Sequence, residues 1–269
     1  MTTAESDPAR RGVARLFCTE SGTGSNVLLL HGWTCDSHDW SWQLPALEAR
    51  HRVVAVDLRG HGRSDVPASG GYSPDHYLSD LESLLATRHA GQTFVVIGHS
   101  MGAQIAARLA AKRPDLVTAV VSVDGALGFS PEAASFFLKT AEALEAGDPA
   151  TVVPALFETA YHPSTAPAFR RWHARRVQGM AAHVIRESFA PLFFGAGQVG
   201  AGDASEIFLR GIRQPFFHLC RDPEQGSRMS SWFSNPRSRV ETWPEVGHWI
   251  MQDRPDALNA AITDWIAAL

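Results

Sequence analysis

Residues 93 to 104 read Thr-Phe-Val-Val-Ile-Gly-His-Ser-Met-Gly-Ala-Gln, an apolar run that enters Gly98-His99-Ser100-Met101-Gly102 and continues into helix-forming Ala103 to Lys112. The pentapeptide alone recurs by chance; the strand before it and the helix after it give it meaning. A serine on so tight a strand-to-helix turn has its hydroxyl pushed beyond the sheet edge, and Gly98 and Gly102 stand where a side chain would block the turn. Ser100 is therefore the candidate nucleophile. A serine hydroxyl is weak at neutral pH, so it needs an imidazole to take its proton and a carboxylate to fix the imidazole tautomer and stabilise its cation. Downstream, Asp124 follows the apolar run Leu116 to Val123, Asp222 and Glu224 follow Pro215 to Leu219, and His248 follows Arg239 to Trp243. Serine, acid and histidine thus occur in that order. A tetrahedral oxyanion needs backbone donors, and the amides of Met101 and of Trp33, just past His31-Gly32, are the natural pair.

Positioning these groups requires a sheet whose strands end together. Asn26 to Leu30 and Arg52 to Val56 are short apolar runs opening into polar loops, the pattern of parallel strands buried on both faces. Val13 to Glu20 predicts an edge strand, with a Gly22-Thr23-Gly24 turn after it and a helix over Trp40 to Ala49. Ser73 and Pro74 start a helix that runs to about Arg88. After Asp124-Gly125 the strand-helix alternation stops. Residues 130 to 194 predict four helices, near 131–145, 149–161, 166–180 and 181–194. This quarter holds ten of the 25 aromatics: Phe129, Phe136, Phe137, Phe157, Tyr161, Phe169, Trp172, Phe189, Phe193 and Phe194. Most are expected to form the apolar underside of the helices, with a few lining a pocket. Gly195, Gly197, Gly200 and Gly202 predict a flexible return, after which come helices near Ala204 to Gly211 and Pro255 to Ala268.

Length and charge bound the class. The chain has 269 residues, 45% apolar, with a net charge of -4 and a pI near 6.3. That suits one enzyme-sized unit acting on a small hydrophobic substrate, and it leaves no electrostatic footprint for nucleic acid or an anionic membrane. Met1 to Arg11 is polar and reads as a disordered leader without a signal-type apolar core, so a cytoplasmic location is expected. Cys18, Cys35 and Cys220 have no paired spacing, which argues against disulfides or a zinc site. No cofactor or metal is needed, and a monomer and a homodimer are equally compatible. His99 is expected to fill space beside Ser100, His31 to brace the oxyanion loop, and Cys35 to pack; Arg170, Arg171, Arg175 and Arg176 read as a solvated helix face.

Leu30-His31-Gly32-Trp33, Asp57-x-Arg59-Gly60-His61-Gly62-x-Ser64, Gly98-His99-Ser100-Met101-Gly102 and Gly247-His248-Trp249 together resemble the α/β-hydrolase superfamily over nearly the whole chain. The resemblance implies a mostly parallel, doubly wound α/β sheet, with a core domain over 1–124 and 203–269 and a helical cap over 125–202. It also implies Ser100 as nucleophile and His248 as base. Many relatives carry the acid after the strand that follows the cap, where this chain has Arg221-Asp222-Pro223-Glu224 without the usual glycine. Some capped relatives carry it after the strand before the cap, at Asp124 here. Asp124 is the preferred acid, ahead of Glu224 and then Asp222.

The leading expectation is a serine hydrolase acting on an ester, lactone or related acyl bond. Ser100 argues against the aspartate-nucleophile dehalogenases and epoxide hydrolases of the same fold. The alternative is a cofactor-free dioxygenase of 3-hydroxy-4-quinolones using a His248-Asp124 pair. Gly32-Trp33 is similar to that branch, but Cys35 stands where its histidine is expected, and Gly247-His248-Trp249 replaces its Thr-His-Phe. A non-catalytic ligand-binding member would have no need of a serine, histidine and acid together.

Overall fold

Seven strands form one sheet in the order β1-β3-β2-β4-β5-β6-β7. The structure, a computed structural model, describes residues 12–269; the expected leader over 1–11 lies outside the described residues. The strands are β1 (Phe17–Ser21), β2 (Ser25–Leu30), β3 (His51–Asp57), β4 (Phe94–His99), β5 (Val117–Val123), β6 (Phe216–Cys220) and β7 (Arg239–Thr242). Only β1 runs antiparallel, against β3; all other pairings are parallel. Every residue of β4 is buried, as a central strand covered by helices on both faces must be. The expected mostly parallel α/β sheet is therefore present.

β1 begins later than the alternation at Val13 predicts. The amides of Ala14 and Arg15 donate to the carboxylates of Asp80 and Asp65 instead of to a neighbouring strand. The helix predicted over Trp40 to Ala49 is split into a 3-10 turn at Ser37–Trp40 and α1 (Leu44–Glu48). Pro45 has no N–H to donate and is tolerated only in a first turn, so the helix starts there. α2 (Pro74–Arg88) follows Ser73-Pro74 as expected, and α3 (Met101–Lys112) starts directly after Ser100.

Between β5 and β6 the chain forms α4 (Pro131–Ala146), α5 (Pro149–Glu158), α6 (Pro167–Gly179), α7 (Ala182–Phe189) and α8 (Gly202–Arg210). The Phe129 amide donates to the Gly200 carbonyl at 3.0 Å and the Gly202 amide to the Phe129 carbonyl at 2.9 Å, which stitches the base of this excursion. α9 (Pro223–Met229), α10 (Ile250–Asp253) and α11 (Pro255–Ala267) complete the chain. α9 stands where a solvated turn is the simplest reading of the sequence. Its start repeats the sequence signal of α2, a cap-type residue followed by proline; here Asp222 accepts from the Glu224 amide at 2.9 Å, whereas the Ser73 hydroxyl pairs with His76 Nδ1 instead. Among the described residues no helix is long and apolar enough to cross a membrane.

The loop after β3 is held by a buried ion pair. Arg59 Nε lies 2.5 Å from one Asp80 oxygen, and its Nη2 donates to the other at 2.6 Å. The rest of the guanidinium donates to the carbonyls of Gly71 and Gly12, and both side chains are fully buried. Removing one partner strands the other charge in the core, so Arg59→Leu and Asp80→Ala should each lose about 3–5 kcal/mol in urea unfolding. The double variant Arg59→Met/Asp80→Leu should recover most of that loss.

Candidate active site

The turn at Ser100 depends on bare backbone. Ser100 has φ of 51°, in the left-handed region. A Cβ at Gly102 would overlap the carbonyl oxygens of Leu30 and His31, and one at Gly98 would overlap the Gly102 carbonyl group. α3 therefore packs its first turn against the end of β2 only because both positions are glycine. The turn is fixed by the Ser100 amide donating to Val123 O at 3.1 Å and by the Ala126 amide donating to Ser100 O at 3.0 Å.

The loop after β2, where one oxyanion donor is expected, is braced by histidines. The Leu58 amide donates to His31 Nε2 at 2.9 Å, so the proton is on Nδ1, which donates to Gly32 O at 2.8 Å. The Thr34 amide donates in the same way to His61 Nε2 at 3.2 Å, while His61 Nδ1 donates to Arg59 O at 2.7 Å. Burial favours the neutral ring that this pattern requires: it lowers the pKa of His31 and pushes that of His61 down to about 3. Among the described residues the amides of Trp33 and Met101 donate to no protein group, so both remain available.

Asp124 follows β5 with φ of 43° and reaches His248 in the loop after β7, with Nδ1 2.5 Å from Oδ2. Its other oxygen accepts from the Arg221 amide at 3.1 Å, and Arg221 Nε lies 3.3 Å from Oδ2. Burial opposes the charge on Asp124, yet the hydrogen bond from His248, with the charges of His248 and Arg221, holds it down to about 2. Glu224 is exposed in α9, and Asp222 caps that helix. The structure thus brings Asp124, and neither of those two, to the histidine.

The His248 loop is tied down from several sides. Its own amide donates to Ala160 O at 2.8 Å, its carbonyl accepts from His99 Nε2 at 3.0 Å, and the Gly247 amide donates to Asp253 Oδ2 at 2.7 Å. Thr165 Oγ1 donates to the same Asp253 oxygen at 2.9 Å. His99 is therefore a main-chain brace, and burial followed by the neighbouring His248 pushes its pKa down to about 3. Arg221, Thr165 and Asp253 carry no motif or spacing that would single them out in the sequence.

Ser100, Asp124 and His248 line one cavity of about 540 Å³ with Trp33 and Arg221. Seven of the ten aromatics of the helical excursion line it as well: Phe129, Phe136, Phe137, Phe157, Tyr161, Phe189 and Phe193. That is more than the few expected. Trp33 Nε1 donates to Ser188 Oγ in α7 at 3.0 Å, which joins the loop after β2 to the helices above it.

Cys35 packs as expected, buried and accepting from Trp249 Nε1 at 3.5 Å, outside the cavity lining. Arg176 departs from the expected solvated face: only 11% of its side chain is exposed, it pairs with Asp39, and it lies 3.3 Å from Asp36. The Asp36-Ser37-His38-Asp39 turn presents its carboxylates to α6, and a sequence-level helix face cannot register so distant a partner. Cys35 Sγ, an Asp39 oxygen and a His99 ring nitrogen lie within 4.8 Å of one another, types that can ligate a metal ion. The Arg176 guanidinium already neutralises Asp39, so a divalent ion there would sit against a buried like charge.

A family model described as the alpha/beta hydrolase family matches residues 27–261. A 2-(acetamidomethylene)succinate hydrolase from Mesorhizobium japonicum is 29% identical over 277 residues, spanning 96% of this chain and 93% of that protein. A solved structure of E-2-(acetamidomethylene)succinate hydrolase aligns with a TM-score of 0.73 and 25% identity, over 94% of this chain and 96% of that one. A thermophilic esterase from Thermogutta terrifontis aligns with a TM-score of 0.79 and 24% identity, over 95% and 94%.

The depressed pKa of Asp124 makes a stability statement. An unfolded aspartate ionises near about 3.9, so the folded-state preference for the carboxylate is fully present above that pH and fades as pH falls toward 2. Wild type should lose about 2 kcal/mol more than Asp124→Asn between pH 4 and 2, read from urea unfolding.

Proposed function

The chain belongs to the alpha/beta hydrolase family and is a hydrolase, and from that premise we propose that it cleaves an ester, lactone or related acyl bond of a small, largely apolar molecule through an acyl-enzyme on Ser100. Ser100 Oγ attacks the carbonyl while His248 Nε2 accepts its proton. Asp124, bonded to Nδ1, keeps the proton on that nitrogen and stabilises the imidazolium. The oxyanion is received by the amides of Trp33 and Met101. His248 then protonates the leaving group and, in the second half-reaction, deprotonates the water that releases the acid. Residues 125–202 act as a cap whose aromatics exclude water and hold the apolar part of the substrate.

The observation that carries this reading is the 2.5 Å Asp124–His248 contact beside a serine held at positive φ in the same cavity. The full-length 2-(acetamidomethylene)succinate hydrolase relative adds the precedent of a hydrolase on a small molecule. The His248–Asp124 pair is also what a cofactor-free dioxygenase would use, so the test must separate the two chemistries. Cys35, at the position where that branch carries histidine, is turned away against Trp249, which favours the hydrolase.

A fluorophosphonate probe followed by peptide mass spectrometry is expected to label Ser100 stoichiometrically, and labelling should vanish in Ser100→Ala and His248→Ala. An unlabelled but folded wild type that consumes oxygen with a 3-hydroxy-4-quinolone would instead establish the dioxygenase.

A further inference from the structure

The cavity wall is mostly apolar, and among the described residues Arg221 is the only lysine or arginine in the lining. Its guanidinium is held but not used up. Nε faces Asp124 Oδ2 at 3.3 Å and Nη1 donates to Ala160 O at 3.3 Å, while among the described residues Nη2 donates to no protein group. The side chain remains 35% exposed, and Arg221 belongs to the cavity lining. Several other polar groups of the lining hold partners within the protein. Asp222 accepts the Glu224 amide, Gln225 Nε2 donates to Leu127 O, and Tyr161 shares a hydrogen bond with His173.

Charge balance gives this free end a direction. With His248 neutral, Asp124 and Arg221 compensate each other. When His248 takes the Ser100 proton, the imidazolium competes for the Asp124 charge, and the unbonded Nη2 of Arg221 is left less compensated. A substrate carboxylate on Nη2 would supply one, in the planar fork geometry that suits carboxylates. Because Asp124 touches both His248 and Arg221, the bound carboxylate would lie close to the reacting carbonyl.

We propose that Arg221 binds a carboxylate of the substrate and determines its specificity, so that the natural substrate is an apolar acyl compound carrying a carboxylate within a few bonds of the scissile carbonyl. This rests on the serine-hydrolase reading above. The test compares the 4-nitrophenyl monoester of glutaric acid with 4-nitrophenyl pentanoate, which differ only by a carboxylate in place of a methyl group. Wild type should favour the anionic ester in kcat/KM by about ten- to a hundredfold, mainly through KM. The ratio should fall to about one in Arg221→Gln and be partly kept in Arg221→Lys. A wild-type ratio of one or less, or a ratio unmoved by Arg221→Gln, overturns the proposal while leaving the hydrolase intact. Calorimetric binding of 4-phenylbutanoate, which needs no turnover, provides the second arm. It should bind wild type at least tenfold more tightly than 4-phenylbutanol, and lose that advantage in Arg221→Gln. Equal binding of acid and alcohol overturns the proposal; failure of both esters to turn over, with the carboxylate effect intact, overturns the acyl-enzyme reading alone.

Discussion

The site depends on how closely two backbones can approach. The first turn of α3 lies on the carbonyls that end β2, and only the missing side chains at Gly98 and Gly102 allow it. Ser100 is carried past the sheet edge at positive φ as a consequence, and the Met101 amide points where no protein acceptor meets it. A non-glycine left-handed residue costs on the order of 1–3 kcal/mol, which the surrounding sheet, buried on both faces, can offset. Asp124 also has a positive φ one strand over, so the strain recurs at the ends of adjacent strands.

Around that turn, polar groups fix the loops with little slack. His31 and His61 are locked as neutral rings between main-chain donors and acceptors, and Asp57 accepts the amides of Ser37 at 2.9 Å and Arg63 at 2.9 Å. Arg59 and Asp80 anchor the same region from below. On the other side, Arg176 reaches from α6 to Asp39, so the helical excursion and the 3-10 turn after β2 share a largely buried ion pair. These ties matter for chemistry because catalytic groups are effective only when held in place before the substrate arrives.

Much of this was legible in the sequence because it is local. The turn glycines, the Ser73-Pro74 helix start and the apolar β4 are short-range signals, and the sheet follows from them. The late start of β1 was not legible, because Asp80 and Asp65 capture the amides of Ala14 and Arg15 from far along the chain. The start of α9 is present in Asp222-Pro223, yet Asp222 and Glu224 stand where many relatives carry the catalytic acid, so in sequence they read as charge rather than as a helix cap. Arg176 and Arg221 show the general limit: a helix-face arginine and a turn arginine look alike in sequence, and only the fold sets one against Asp39 and the other in the cavity.

If His248 works through Asp124, the far-downfield proton resonance of a histidine Nδ1–H shared with a carboxylate, recorded at acidic pH, reads that bond directly. The signal is expected in wild type and in Glu224→Gln, and is expected to be absent in His248→Ala and Asp124→Asn. A signal that survives in Asp124→Asn and disappears in Glu224→Gln would contradict that role of Asp124.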